Sequence, residues 1–256
     1  METRELGTTG IEVSRLCFGT GTQGWGGHSN QTKLGEKELV DLLRYGYDRG
    51  ITFWDSADQY GSHLHVSQAL SGLSREEVVV TTKTCAKTAD EAEADIQRYL
   101  KELNTDYLDI VLMHAMSNGK WPQSQSGVME VLDRKKQEGV IRAHGISCHD
   151  FDAMQTAART SWVDVVLARI NYAGRNMDGP PEKIIQLLEE MDDADIGVYG
   201  MKVVGAGHLG KDARNAIHFV LDLHSIDAIT IGMQSKQEVD ENIGWVEAHT
   251  SSLQPA

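Results

Sequence analysis

The sequence predicts an α/β fold, a (β/α)8 TIM barrel with an N-terminal β-hairpin. Three observations carry that expectation. Short apolar runs alternate with helix-period stretches eight times over. The runs are continuously apolar rather than alternating, which marks parallel strands covered on both faces. The length of 256 residues suits eight βα units, which occupy roughly 250. A doubly wound open sheet would more often show about five or six strands. No linker, repeat or low-complexity segment divides residues 1–256, so a single barrel domain is expected.

The elements follow in order. RELGTTGIEV is two short segments around a Thr-Gly turn and reads as the hairpin. RLCFG is the first barrel strand, and Leu39, Leu42, Leu43 and Tyr47 follow at helical spacing. ITFWD is the second, with a short helical stretch through Val66 and Leu70. EVVVTTK leads to a helix through Ala92, Ile96, Tyr99, Leu100 and Leu103, and YLDIVLMH to one carrying Val128, Val131 and Leu132. RAHGIS precedes a helix near Phe151 to Ala158, and VDVVLARI precedes PEKIIQLLEEM. IGVYGMK leads to ARNAIHFVLDL, and IDAITIG to a last helix with Val239, Ile243 and Val246. Strands alternating with helices in this way imply right-handed βαβ units.

Composition narrows the function. Hydrophobic residues make up 40% and charged residues 24%, suited to a soluble protein with a sizeable core. The formal net charge of -14 disfavours nucleic acid and anionic membranes as partners. No apolar stretch approaches the roughly 20 residues of a membrane helix, and METRELGTTG has no signal-peptide core. Cys17, Cys85 and Cys148 are odd in number and widely spaced, so neither a disulfide framework nor a zinc ribbon is indicated. A reducing, cytoplasmic setting is the expectation.

In a (β/α)8 barrel the active site lies at the C-terminal ends of the strands. Those ends are Asp55 on the second strand, with Tyr60 in the loop beyond, Lys83 on the third and His114 on the fourth. The fifth ends in Ser147, the sixth near Asn171 and the seventh in Lys202. Strands two to four are neighbours, so Asp55, Tyr60, Lys83 and His114 should converge. Together they make a proton-donating site. A free phenol, with pKa near 10, is a poor acid at neutral pH. A nearby ammonium favours the phenolate and should lower that value. Asp55 can hold the Lys83 charge, and His114 can donate a hydrogen bond that orients a carbonyl oxygen. The set suits protonation of an oxygen as it becomes an alkoxide. Nothing in it supplies electrons, so a hydride donor must bind beside it.

The order of these motifs resembles the aldo-keto reductases over nearly the whole chain. DSADQY, Asp55 to Tyr60, matches their D-x-A-x-x-Y motif. VVVTTK and YLDIVLMH match the strands carrying the family lysine and histidine, and GVIRAHGIS is similar to their GKIRxIGVS segment. SKQEVDEN is similar to the stretch that holds the adenosine phosphate. The resemblance implies an oxidoreductase acting on a small carbonyl or alcohol with NADP(H), NAD(H) being possible. Tyr60 would be the proton donor, Lys83 and Asp55 would tune it, and His114 would orient the substrate. It further implies cofactor contacts from Gly19, Thr20, Gly21, Asp55, Ser147, Met201 and Lys202, and from Gly232, Met233, Gln234, Ser235, Lys236, Glu238, Glu241 and Asn242 after the eighth strand. A cofactor-binding barrel without turnover, a redox sensor or regulatory subunit, is the alternative.

Several departures from the family pattern bear on the site. Cys148 follows Ser147 where many members have Asn, the sixth strand reads LARIN without a Gln, and Met201 stands where an aromatic often stacks on the nicotinamide. The substrate pocket is expected to be open, or completed by another subunit. Trp25 and Trp121 lie in the loops after the first and fourth strands, where they either pack the loops or line the pocket with Tyr60 and His114. Glu238 falls where NADPH-preferring relatives often carry arginine, so discrimination between the cofactors should be weak. GTGTQG, Gly19 to Gly24, satisfies G-x-G-x-x-G but opens no helix, which a dinucleotide fingerprint requires. His63 and His65 lie two apart on a helix, on different faces, so no metal site is expected. His208 reads as a surface residue, and His144 as a hydrogen-bonded core histidine.

Overall fold

A computed structural model describes residues 1–253. Eight parallel strands close into a barrel: β3 (Leu16–Gly19), β4 (Phe53–Asp55), β5 (Val79–Thr84), β6 (Leu108–Met116), β7 (Ile141–Cys148), β8 (Val165–Arg169), β9 (Gly197–Met201) and β10 (Ala228–Gly232), which pairs back onto β3. The antiparallel hairpin β1 (Thr3–Glu5) and β2 (Glu12–Ser14) precedes them. Helices α1 (Glu36–Asp48), α2 (His63–Leu70), α3 (Ala89–Leu103), α4 (Trp121–Ser124), α5 (Ser126–Gln137), α6 (Phe151–Ala157), α7 (Pro181–Asp192), α8 (Ala213–Leu221) and α9 (Lys236–Leu253) follow the strands. The short α4 was not foretold by the apolar spacing.

The strands are largely apolar on both faces because they serve two cores. Cys17, Phe53, Val79, Ile110, Leu112, Ala143, Val165, Leu167 and Tyr199 fill the barrel interior, joined by Leu6, Ile11 and Val13 of the hairpin. The residues between them, such as Phe18, Trp54, Val80, Val111 and Ile146, face the helices. Side chains alternate along a strand, so inward positions continue upward to Asp55, Lys83, His114, Ser147, Arg169 and Met201. The lower end is closed by the hairpin turn. Gly7, at φ +51°, lies so close to β9 that a Cβ would fall 2.4 Å from Gly197 N. Glycine alone tolerates both the conformation and the contact.

Helix ends carry their own signals. Thr88 and Glu91 form a capping box at α3. Asp150 caps α6 by accepting the Ala153 N–H, and Pro181 stands at the first turn of α7. Each fixes where a helix starts after its strand, and so how much loop remains above the barrel.

Candidate active site

The strand-end rule brings the four predicted residues together. Lys83 is fully buried; its Nζ donates to Asp55 Oδ1 at 2.7 Å and to the Ser56 carbonyl at 2.8 Å. The Tyr199 hydroxyl, rising from β9, donates to the same Asp55 oxygen at 2.8 Å. Burial disfavours the Lys83 ammonium, but the Asp55 charge and Tyr60 outweigh it and hold its pKa above the ordinary lysine value. A buried charge so paired and bonded stays ionised.

Tyr60 ends a single 3-10 turn, Asp58–Tyr60, whose amide reaches back to the Ala57 carbonyl. Its ring is enclosed on several sides. Lys83 Nζ stands 4.8 Å from the ring centroid, and His114 meets the ring edge-on at 5.6 Å. On another side lies bare backbone: a Cβ at Gly21 would fall 2.2 Å from Tyr60 Cε2, and one at Gly24 would fall 2.4 Å from Cδ1. Gly21 and Gly24 of GTGTQG thus make room for a phenol. The same loop is tied to the Tyr60 turn by Gly27 N–H to the Gln59 carbonyl and Gly26 N–H to Gln59 Oε1.

The phenol's pKa departs from the sequence expectation. Burial raises it above the ordinary tyrosine value, and the Lys83 charge pulls it down by less. The ammonium has the expected sign of effect, but desolvation wins. His114 moves the other way. Burial, with Lys83 adding to it, pushes its pKa down to about 3, so the imidazole is neutral at physiological pH. Its Nδ1 faces Cys85 Sγ at 3.7 Å. Ala115, just beyond it, sits at φ +58° and donates its N–H to Ser147 Oγ at 2.7 Å. Trp25 is exposed and tilts over His114 with ring centroids 5.8 Å apart.

Several other predicted residues make packing or hydrogen-bond contacts of their own. Trp121 is 1% exposed and donates from Nε1 to the Ala153 carbonyl, so it packs the helical layer and lines no open pocket. Thr20 is fully buried, its N–H and hydroxyl both donating to the Asp55 carbonyl, so it supports Asp55 from below. Gly19 and Met233 are buried as well, the latter among core side chains. Asn171 spends its whole amide closing the following loop, on Arg175 and Lys202 carbonyls and on the amides of Ala173 and Arg175. His144 is buried and stacks on Trp162 at 4.2 Å, with no hydrogen bond to either ring nitrogen. Among the described residues no group of three His, Cys, Asp or Glu converges as metal ligands.

The rim over β7 to β9 is cationic. Arg169 ends β8 and pairs with Asp178 at 3.1 Å, leaving Nε buried without a partner. Lys202 sits at φ +59°, and its carbonyl accepts from Asn171 Nδ2 and the Gly205 N–H. Its ammonium has no hydrogen bond or ion pair among the described residues, and burial, with Arg169 adding to it, lowers its pKa. At the start of α9, Glu238 Oε2 accepts the Gln234 N–H at 2.7 Å while its own N–H donates to Ser235 Oγ. Lys236 turns away, its Nζ 4.8 Å from the Tyr45 ring. Glu241 bonds Gln237, and Asn242 bonds the Glu238 carbonyl. Tyr199 and Arg169 were missed in the sequence, although both hold inward positions on their strands.

Comparison with known proteins gives the family and the fold. A sequence model of the Aldo/keto reductase family matches residues 15–247. An L-galactose dehydrogenase of Arabidopsis thaliana is 25% identical over 96% of this chain and 88% of its own. An NADH-specific methylglyoxal reductase of Escherichia coli (strain K12) is 29% identical over 68% of this chain and 60% of its own. A Pseudomonas aeruginosa structure described as an aldo-keto reductase superposes with a TM-score of 0.82 at 26% identity, covering 97% of this chain and 95% of that one. An aldo-keto reductase from Bacillus halodurans shares the fold with a TM-score of 0.80 at 20% identity, covering 100% and 97%.

Proposed function

The chain belongs to the aldo/keto reductase family, and we propose that it interconverts a small carbonyl compound and its alcohol, with Tyr60 as the proton donor. The observation that carries this reading is the enclosure of one phenol by a buried, Asp55-held ammonium and a neutral imidazole. A nicotinamide cofactor, when bound, would supply the hydride. The residues present suit such a group. Ser147 accepts from Ala115 and retains its own proton for a carboxamide, and the unpartnered Arg169 Nε and Lys202 ammonium offer donors to carboxamide or phosphate oxygens.

The substrate oxygen is held by His114, whose neutral ring donates one hydrogen bond. As negative charge grows on that oxygen, Tyr60 releases its proton to it. Lys83 stabilises the phenolate left behind, and Asp55 keeps Lys83 charged and in place. These interactions strengthen as charge develops, so they act on the transition state more than on the bound substrate.

Cofactor choice follows from the start of α9. The Glu238 carboxylate covers a backbone N–H there, and Lys236 lies against Tyr45. A 2′-phosphate would meet a carboxylate, whereas a free 2′-hydroxyl could donate to it. Both NADPH and NADH are proposed to bind. A cytoplasmic location is proposed with them; among the described residues no helix is long and apolar enough to cross a membrane. Turnover tests the reading: purified protein with either reduced cofactor and a panel of aldehydes including methylglyoxal, and with either oxidised cofactor and sugars including L-galactose. Turnover of a panel member that Tyr60→Phe abolishes is the expected result. Tight cofactor binding with no turnover in either direction would favour the regulatory reading instead.

A further inference from the structure

The phenol and the ammonium lie on separate elements, the Tyr60 turn after β4 and the C-terminal end of β5. What fixes one against the other is a polar brace on α3. Arg98 Nη1 donates to Asp58 Oδ1 at 2.7 Å, within the turn that presents Tyr60. The same nitrogen reaches Glu102 Oε1 at 3.0 Å, and Nη2 reaches Asp95 Oδ1 at 2.8 Å. Both carboxylates then continue to β5. Asp95 Oδ2 accepts from Thr84 Oγ1 at 2.6 Å. Glu102 Oε2 bonds His63 Nδ1 at 2.6 Å, and His63 Nε2 bonds Thr82 Oγ1 at 2.7 Å. Thr82 and Thr84 flank Lys83, and the hydroxyl of Tyr99, beside Arg98 on α3, donates to the Lys83 carbonyl at 3.3 Å. The Arg98 guanidinium lies 4.8 Å from that Tyr99 ring.

We propose that Arg98 is a positioning residue for Tyr60: through Asp58 it pins the tyrosine turn, and through Asp95 and Glu102 it ties that turn to the strand that carries Lys83. This inference rests on the carbonyl-reductase reading. A planar guanidinium suits the task because it offers several donors in a fixed fork, which an ammonium cannot. Its charge matters as well. One cation offsets three carboxylates grouped behind the tyrosine, and the Asp58 bond is the largest of the contacts that hold the Arg98 pKa above its ordinary value. The groups that face Tyr60 itself are Lys83 from β5 and Cys85 just beyond it, Asp55 from β4 and His114 from β6. Without Arg98, the turn loosens from Lys83 and the local field becomes more negative. Both effects disfavour the phenolate.

The test uses the full chain labelled at tyrosine Cζ with 13C, with the Tyr60 signal assigned by its loss in Tyr60→Phe. In Arg98→Met the Tyr60 titration is expected to move to higher pH by about 0.5 unit or more. The kcat for reduction should fall about 10-fold with little change in cofactor Kd, a loss confined to the transition state. Arg98→Lys, which restores charge without the fork, should return the titration partway and recover less of kcat. Arg134→Met, which removes an exposed arginine on α5 that pairs with Glu93 of α3 at 2.6 Å, should move neither. An Arg98→Met or Arg98→Lys protein with wild-type titration and kcat overturns the inference, as does an equal shift in Arg134→Met. If the wild type turns over no substrate, the reductase reading fails, while the titration still reports whether Arg98 sets the Tyr60 environment.

Discussion

Lys83→Met removes an ammonium while keeping most of an apolar stem, and the consequences can be worked from the contacts. Loss of Nζ leaves the Asp55 carboxylate, 4% exposed, with the Tyr199 hydroxyl as its remaining side-chain donor. The Ser56 carbonyl loses its Nζ donor too. Breaking a buried pair by deleting one partner costs about 3–5 kcal/mol, against a total of about 5–15 for a typical domain. The variant should fold, with a clearly lower urea midpoint. The pH dependence follows from the direction of the Lys83 shift. Burial lowers its pKa, but Asp55 and Tyr60 together raise it above 10.5. A raised folded pKa means the stabilisation is complete below the unfolded value and is lost as pH rises through the folded one. The gap between wild type and variant should stay level from about pH 6 to about pH 9 and shrink at higher pH. Catalysis changes alongside. Tyr60 loses the charge that opposes its burial, so its pKa rises further and the alkaline limb of the reduction profile moves up. Urea unfolding at a series of pH values and a pH–rate profile check both. A gap under about 1 kcal/mol at pH 7, or one that widens above pH 10.5, would refute a charged, buried Lys83 holding Asp55.

Two further predictions concern the surroundings. Gly21→Ala places a methyl 2.2 Å from the Tyr60 ring, so the ring must shift; kcat should fall by about 10²-fold and stability by about 1–3 kcal/mol, read by steady-state kinetics and thermal melts. Wild-type protein should prefer NADPH over NADH by less than about 100-fold, or about 2.7 kcal/mol. Glu238→Gln should move that ratio towards NADPH in direct fluorescence titration. A wild-type preference of three orders of magnitude would mean that Glu238 does not face the 2′ position.

Asp55, Lys83 and His114 were legible because strand periodicity and the strand-end rule need no tertiary information. Inward parity continues past Phe53, Thr81 and Leu112 to those three side chains. Tyr60 was legible from its motif, but not its pKa, because the covering loop decides that. How Gly21 and Gly24 press on its ring depends on a path that no local propensity encodes. Tyr199 shares the inward parity, yet only the closed barrel shows that it reaches Asp55 across the interior. Trp121 read as a loop aromatic because the short α4 that buries it lacks helical spacing. Arg98 reads in sequence as one charge on the solvated side of an amphipathic helix. Its partners lie on α3 and the Tyr60 turn, and their own bonds run on to α2 and β5; only packing brings them together.

Tyr60→Phe, measured by single-turnover hydride transfer and by cofactor titration on the same protein, tests the central claim most directly. The ring, its glycine contacts and its edge-on contact with His114 survive, and only the phenolic hydroxyl is lost. The account predicts a transfer rate lower by about 10²–10⁴-fold with cofactor Kd within about twofold of wild type. Wild-type transfer rates in Tyr60→Phe would remove Tyr60 from the chemistry and contradict the account.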